Sequence, residues 1–190
     1  MTLRLLAFAA SLRRGSFNRK LLTQAVPIAR AAGAEIDLAE FAEFTMPLFD
    51  ADLEEAQGFP PGAEALARRV RGADGLFIAS PEYNYSLPGT LKNAIDWVSR
   101  MRPVPLRGKS AFLMATSRGM VGGIRGLWQL RIPLEGNGVV IYPDMFSLPH
   151  GASAFDDDGG LKDPQAVERL ERMVRGYIEM AEKLLEKRER

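Results

Sequence analysis

Residues 76–98 read Leu-Phe-Ile-Ala-Ser-Pro-Glu-Tyr-Asn-Tyr-Ser-Leu-Pro-Gly-Thr-Leu-Lys-Asn-Ala-Ile-Asp-Trp-Val. The apolar run Leu76 to Ala79 suits a short strand covered on both faces. Ser80 to Pro88 is a polar loop braced by prolines. Leu91, Ala94, Ile95 and Val98 then recur at helical spacing, with Pro88 near the helix start, where its fixed φ is tolerated.

The same order recurs along the chain. Leu3 to Ala9 is a nearly unbroken apolar run, and Ala10 to Phe17 is a polar loop. Leu21, Leu22, Ala25, Val26 and Ala29 form a helical stripe stopped by Gly33. Glu35 to Leu38 reads as a short second strand. Residues 40–62, with Pro47, Pro60 and Pro61, read as irregular, and Ala63 to Val70 as a helix ended by Gly72. Ala111 to Ala115 is a strand, Thr116 to Gly123 a Gly-rich turn, Ile124 to Leu134 a helix and Val139 to Tyr142 the last strand. Val167, Leu170, Val174, Ile178, Ala181 and Leu185 mark the final helix. This order predicts an α/β fold: one domain over residues 1–190, a five-stranded parallel sheet and helices on both faces. Ligands in such folds sit beyond the carboxyl ends of the strands, at a topological switch point. The loops after strands one, three and four are therefore the ones to read for chemistry.

Composition narrows the function. The chain has 190 residues, 46% hydrophobic and 26% charged, a globular balance. Lys and Arg total 25 against 24 Asp and Glu, a net charge of +1 (25 − 24) that gives no basic excess for nucleic acid. The absence of cysteine excludes disulfides, thiolate metal sites and Cys nucleophiles. The one histidine, His150, excludes His-pair metal motifs. No stretch reaches the ~18 apolar residues of a membrane span. The apolar run before Ala10 passes straight into Arg13, Arg14, Arg19 and Lys20, so a first strand is expected there rather than a signal peptide. The expected compartment is the cytoplasm.

The first loop holds Ser11, Arg13, Ser16 and Asn18 between a strand and a helix start. Small donors, a cation and a helix N-terminus together suit a phosphate. Ser16 alone could be a simple cap, but a cap needs one such residue and several converge here. The required glycines of a GxGxxG fingerprint are absent. The second loop sets Tyr83 and Tyr85 between Pro81 and Pro88. It reads equally as a seat for a flat, polar-edged ring or as a braced turn covering core. The third loop carries Ser117, Gly119, Gly122 and Gly123, and glycines permit close backbone approach.

Together these loops resemble the NADPH-dependent FMN reductase family of flavodoxin-like proteins, which includes quinone, chromate and azo-dye reductases. That family's phosphate loop reads approximately G-S-x-R-x-x-S-x-N, and Ala10 to Asn18 fits except for Ala10 in place of Gly. Its second signature, P-E-Y-N-x-S-x-P-G-x-L-K-N-A-I-D-W, is matched throughout from Pro81 to Trp97. Gly119-x-x-Gly122-Gly123 with Arg125, Gln129 and Leu130 is similar to its third segment.

The resemblance implies a flavodoxin-like fold with bound FMN. The 5′-phosphate would sit on Ser11, Arg13, Ser16, Phe17 and Asn18. The isoalloxazine would lie against Pro81, Glu82, Tyr83, Asn84 and Tyr85, with Ser117, Gly119, Gly122 and Gly123 near its pyrimidine edge. The resemblance also implies an NAD(P)H oxidoreductase that passes hydride through FMN to a quinone, flavin or similar small acceptor. The cofactor does the hard step, so no dedicated catalytic side chain, metal or membrane partner is expected. A homodimer or homotetramer is implied as well. The Ala10 departure is harmless if that position keeps φ < 0 and strained otherwise.

Other readings compete. Ala115-Thr116-Ser117-Arg118-Gly119 nearly fits G-x-S-x-G, and Asp144 and His150 follow in hydrolase order. A non-enzymatic flavodoxin-type carrier or flavin sensor would bind the same cofactor, but carriers of that type tend to be acidic. Trp97 and Trp128 read equally as core or interface. Asp156-Asp157-Asp158-Gly159-Gly160 hints at calcium but departs from EF-hand spacing, so a solvated turn is expected.

Overall fold

The computed structural model describes residues 2–188. Among these residues six strands and six α-helices follow one another: β1 Arg4–Ala9, α1 Phe17–Ala31, β2 Glu35–Ala39, α2 Ala51–Gln57, α3 Pro61–Gly72, β3 Gly75–Ala79, α4 Gly89–Arg100, β4 Ser110–Thr116, α5 Ile124–Gly136, β5 Val140–Ile141, β6 Phe146–Leu148 and α6 Pro164–Arg188. All strands pair in parallel, in the order β2-β1-β3-β4-β5. No helix among the described residues is long and apolar enough to cross a membrane.

Every residue of β3 and β4 is buried. Side chains of a strand alternate between faces, so each strand feeds two cores. Leu6 and Phe8 of β1 join one core with α3, α4 and α5, while Leu5, Ala7 and Ala9 join the other with α1 and α6. The second core centres on Phe77, Phe112 and Tyr177. Phe112 stacks on Phe77 at 5.4 Å and on Tyr177 at 5.7 Å. Tyr177 is fully buried. Its hydroxyl reaches Leu76 O at 3.3 Å and Ser110 Oγ at 3.2 Å. Gly75 makes room for this pair, because a Cβ there would overlap both hydroxyls.

Two expectations need correction. The expected strand at Val139 to Tyr142 is present but shorter, as β5 at Val140–Ile141, and it is not the last: β6 follows at Phe146–Leu148. β5 pairs with Ser110 and Ala111, at the start of β4, and β6 pairs with Met114 to Thr116, at its end. Pro143 lies between them and has no N–H for the ladder, so the fifth sheet position is shared by two short strands. The 40–62 segment is not irregular throughout. It holds a 3-10 turn at Phe41–Phe44, then α2 and the start of α3 at Pro61. α2 has no buried residue, so it shows no apolar stripe. Its ends were legible instead: Asp50 accepts from Asp52 N at 2.9 Å, and Gly58 closes the helix at φ 73°.

Trp97 is core, not interface. Its indole N–H donates to Pro47 O at 2.9 Å, Asn93 Nδ2 donates to the same oxygen at 2.8 Å, and Phe49 N donates to Asn93 Oδ1 at 2.7 Å. These three bonds from α4 pin the long segment after β2 to the domain. Trp128, by contrast, is exposed.

Burial pushes the Tyr177 hydroxyl well above its ordinary titration range. A raised folded value stabilises the neutral form, and that stability is lost only as pH rises past the unfolded value of about 10. Tyr177→Phe is expected to cost about 1 kcal/mol in urea unfolding near neutrality. It is also expected to flatten the alkaline loss of stability that wild type should show.

Candidate active site

β2 lies on one side of β1 and β3 on the other, so the chain reverses direction across the sheet between β1 and β3. The carboxyl ends of those strands open a crevice there. A cleft of about 320 Å3 occupies it, lined by Ser11, Arg13, Ser16, Phe17, Asn18, Pro81, Glu82, Tyr83, Thr116, Ser117 and Arg118. That volume falls at the lower end of small-molecule sites, roughly 300–1,000 Å3.

The loop after β1 builds one wall. Ala10 is buried, donates to Ala79 O at 2.9 Å and is not among the positive-φ residues, so its replacement of Gly is unstrained. Ser16 occupies the cap position of α1, yet its side chain makes no cap bond and no other hydrogen bond among the described residues. It is only 4% exposed and lines the cleft. A hydroxyl open to the cleft beside free helix N–H groups, with no partner of its own, is suited to an anion. Asn18 is committed elsewhere. Its Nδ2 donates to Thr116 O and its Oδ1 accepts from Thr116 N, both at 3.0 Å, which clamps the start of α1 to the end of β4.

The loop after β3 is a miniature hairpin. Tyr83 and Ser86 exchange backbone hydrogen bonds at 2.9 and 3.0 Å across Asn84 and Tyr85, which both have positive φ, 49° and 67°. This is the signature of a type I′ turn, unusual with Tyr at its second position. The Arg125 guanidinium lies 4.2 Å from the Tyr85 ring centroid. Arg125 also pairs with Glu82 Oε1 at 2.6 Å, and Gly126 N donates to Glu82 Oε2 at 3.2 Å. Glu82 therefore borders the cleft with its charge matched, fastening the loop to the start of α5.

The loop after β4 explains its glycines by contact. Gly122 has φ +62°, and a Cβ there would sit 2.7 Å from Leu148 C. Gly123, the left-handed residue before α5, would meet Ala115 Cβ at 2.9 Å. Ser117 lines the cleft, whereas Asn84, Tyr85, Gly119, Gly122 and Gly123 shape the surrounding loops without lining it. Sequence reasoning missed Thr116 and Arg118. Arg118 neighbours the predicted Ser117, and only its place on the folded loop brings it beside Phe17.

The protein is similar over most of its length to named reductases. The family model for NADPH-dependent FMN reductase matches residues 3–153. The chain belongs to that family. FMN is accordingly its cofactor and NAD(P)H its reductant. The reductase is 45% identical over 130 residues to a quinone reductase of Escherichia coli, which covers 68% of each chain. It is 37% identical to an NAD(P)H-dependent FMN reductase of Pseudomonas aeruginosa over 90% of this chain and 91% of that one. Its fold matches a flavoenzyme NAD(P)H:(acceptor) oxidoreductase of Paracoccus denitrificans with a TM-score of 0.82 and 28% identity, covering 95% of this chain and 98% of that one. A flavodoxin of Bacillus cereus matches at a TM-score of 0.61 and 13% identity, covering 93% and 97%, which supports the flavodoxin-like fold alone.

The donor set fits FMN. The free Ser16 hydroxyl, the N–H groups opening α1 and the Arg13 guanidinium suit a phosphate. Pro81 and Tyr83 offer flat surface beside it. A larger cleft of about 510 Å3, lined in part by His150, Lys162, Asp163 and Arg169, contains none of the residues assigned to flavin. Within it Arg169 is already engaged, donating to Ser147 O at 2.6 Å and lying over the Phe146 ring.

Removing the Asn18 amide leaves two buried backbone groups of Thr116 unpaired. Asn18→Ala is expected to lower stability by about 2–4 kcal/mol in chemical denaturation. Asn18→Asp should recover only part of this, since its carboxylate can accept from Thr116 N but faces Thr116 O with no donor.

Proposed function

We propose that the whole chain, residues 1–190, is one FMN-binding domain that reduces a quinone or a free flavin with NAD(P)H by a ping-pong route. The observation that carries this reading is the cleft at the β1/β3 switch point, where the hydroxyl of a largely buried Ser16, open to the cleft and without a partner among the described residues, meets a helix N-terminus and arginines with no carboxylate partner. FMN, when bound, supplies the chemistry by accepting hydride from the nicotinamide and delivering the electrons to the acceptor.

The protein's part is binding and orientation. Ser11, Arg13, Ser16, Phe17 and Asn18 are assigned to the phosphate end. In this group Asn18 acts by holding α1 against β4. Pro81, Glu82, Tyr83, Asn84 and Tyr85 are assigned to the ring, with Glu82 acting through its ion pair to Arg125. Ser117, Gly119, Gly122 and Gly123 are assigned to the pyrimidine edge, where backbone N–H groups can stabilise added negative charge without a titrating base. An exposed tyrosine beside the cleft leaves room for a flat acceptor to follow the nicotinamide.

A homodimer or homotetramer belongs to the same reading. Trp128 and Ile132, one helical turn apart on α5, are 53% and 65% exposed, and Met120 and Val121 are exposed nearby. Apolar surface of that kind favours a partner copy. A cytoplasmic location is proposed because the reaction draws on NAD(P)H. The hydrolase alternative finds no support: Ser117 and His150 border different clefts, and no hydrogen bond joins Ser117, Asp144 and His150 among the described residues.

Purified protein is expected to retain FMN, to lose the oxidised flavin absorbance on anaerobic addition of NADPH, and to regain it on addition of a quinone. Parallel lines in double-reciprocal plots would accompany this. His150→Ala should leave kcat/KM within about twofold, against losses of 10^3 or more expected for a triad member. Absence of flavin binding would overturn the reading, and bleaching without reoxidation by any quinone or flavin would leave a carrier.

A further inference from the structure

Two arginines from loops far apart in sequence meet at one ring. The Arg13 guanidinium carbon lies 5.1 Å from the Phe17 ring centroid, and that of Arg118 lies 5.9 Å from it. Both line the β1/β3 cleft. Arg13 donates to Gly15 O, and neither arginine has a carboxylate partner among the described residues. The one carboxylate bordering the cleft, Glu82, is matched by Arg125. Two cations therefore face the positive end of α1 with no anion to balance them. Phe17 holds both guanidinium groups by cation–π contact and limits where they can point. Beside them Ser16, 4% exposed, keeps its hydroxyl unpartnered. The arrangement asks for a small dianion with several acceptor oxygens, and a phosphate monoester carries about −1.5 to −2 at pH 7.

We propose that Arg118 is a second cation for the FMN phosphate, acting beside Arg13 across Phe17, and that it makes the site select FMN over riboflavin. The proposal rests on the FMN reading above and adds to it a residue outside the phosphate loop. Arg118 is exposed in this structure, so its replacement disturbs no core packing.

The test titrates FMN and riboflavin separately into flavin-stripped wild type, Arg118→Ala, Arg118→Met and Arg118→Lys, following quenching of flavin fluorescence. Arg118→Ala and Arg118→Met are expected to weaken FMN about tenfold, ~1.4 kcal/mol, and to leave riboflavin unchanged. Arg118→Lys should restore part of the loss, since it keeps the charge without the planar fork. Wild-type affinity for FMN should also fall more steeply with salt than that of Arg118→Ala.

Equal weakening of both flavins, or no change for FMN, overturns the proposal while the FMN reading stands. A loss confined to NADPH binding relative to NADH also overturns it, by assigning Arg118 to the other coenzyme's phosphate. Failure of wild type to bind FMN at all overturns both together.

Discussion

The central strands are buried from end to end, and that constraint organises everything else. β3 and β4 expose no residue on either face, and β1 only its first, so polar chemistry has nowhere to go but the strand ends. Buried backbone groups are satisfied by the parallel ladder, and right-handed crossovers place helices on both faces. The helix N-termini then gather at the carboxyl edge. The free donors of α1 meet the turn after β3 there because β1 and β3 are neighbours in the sheet.

The site is assembled by separating groups that hold the scaffold from groups left free. Asn18 and Glu82 resemble ligands in sequence, yet their polar atoms are matched within the fold. Asn18 spans the Thr116 backbone, and Glu82 joins Arg125 to the start of α5. What stays unmatched is a hydroxyl on Ser16 and the cations of Arg13 and Arg118. A rigid frame with free donors at one edge is what a tightly held phosphate requires, since little ordering cost remains for binding. The positive φ of Tyr85 sits in a turn closed by the Tyr83–Ser86 backbone bonds, with Arg125 lying against its ring.

Much of the fold was legible because its signals are local. Apolar runs of strand length and stripes of helical spacing marked every long element. The misses were those whose signals are weak or negative. α2 has no fully buried residue and only Leu53 packs against the core, so its caps are what reveal it. The strand expected at Val139 to Tyr142 is there in shortened form, but a second short strand beyond Pro143, only three residues long, completes the edge.

The candidate site divides the same way. The sequence by itself determined the βα alternation, the three loops at one edge and the family motifs from Ala10 to Asn18 and from Pro81 to Trp97. Those depend on residue type and spacing along the chain. Only the tertiary structure decided that Ala10 is unstrained, that Asn18 and Glu82 hold the frame, and that Arg118 joins Arg13 at Phe17. These are relations between residues on different loops. A hydrogen-bond partner or an unmatched charge is defined by what folding brings alongside, and no spacing along one strand–loop–helix unit encodes it.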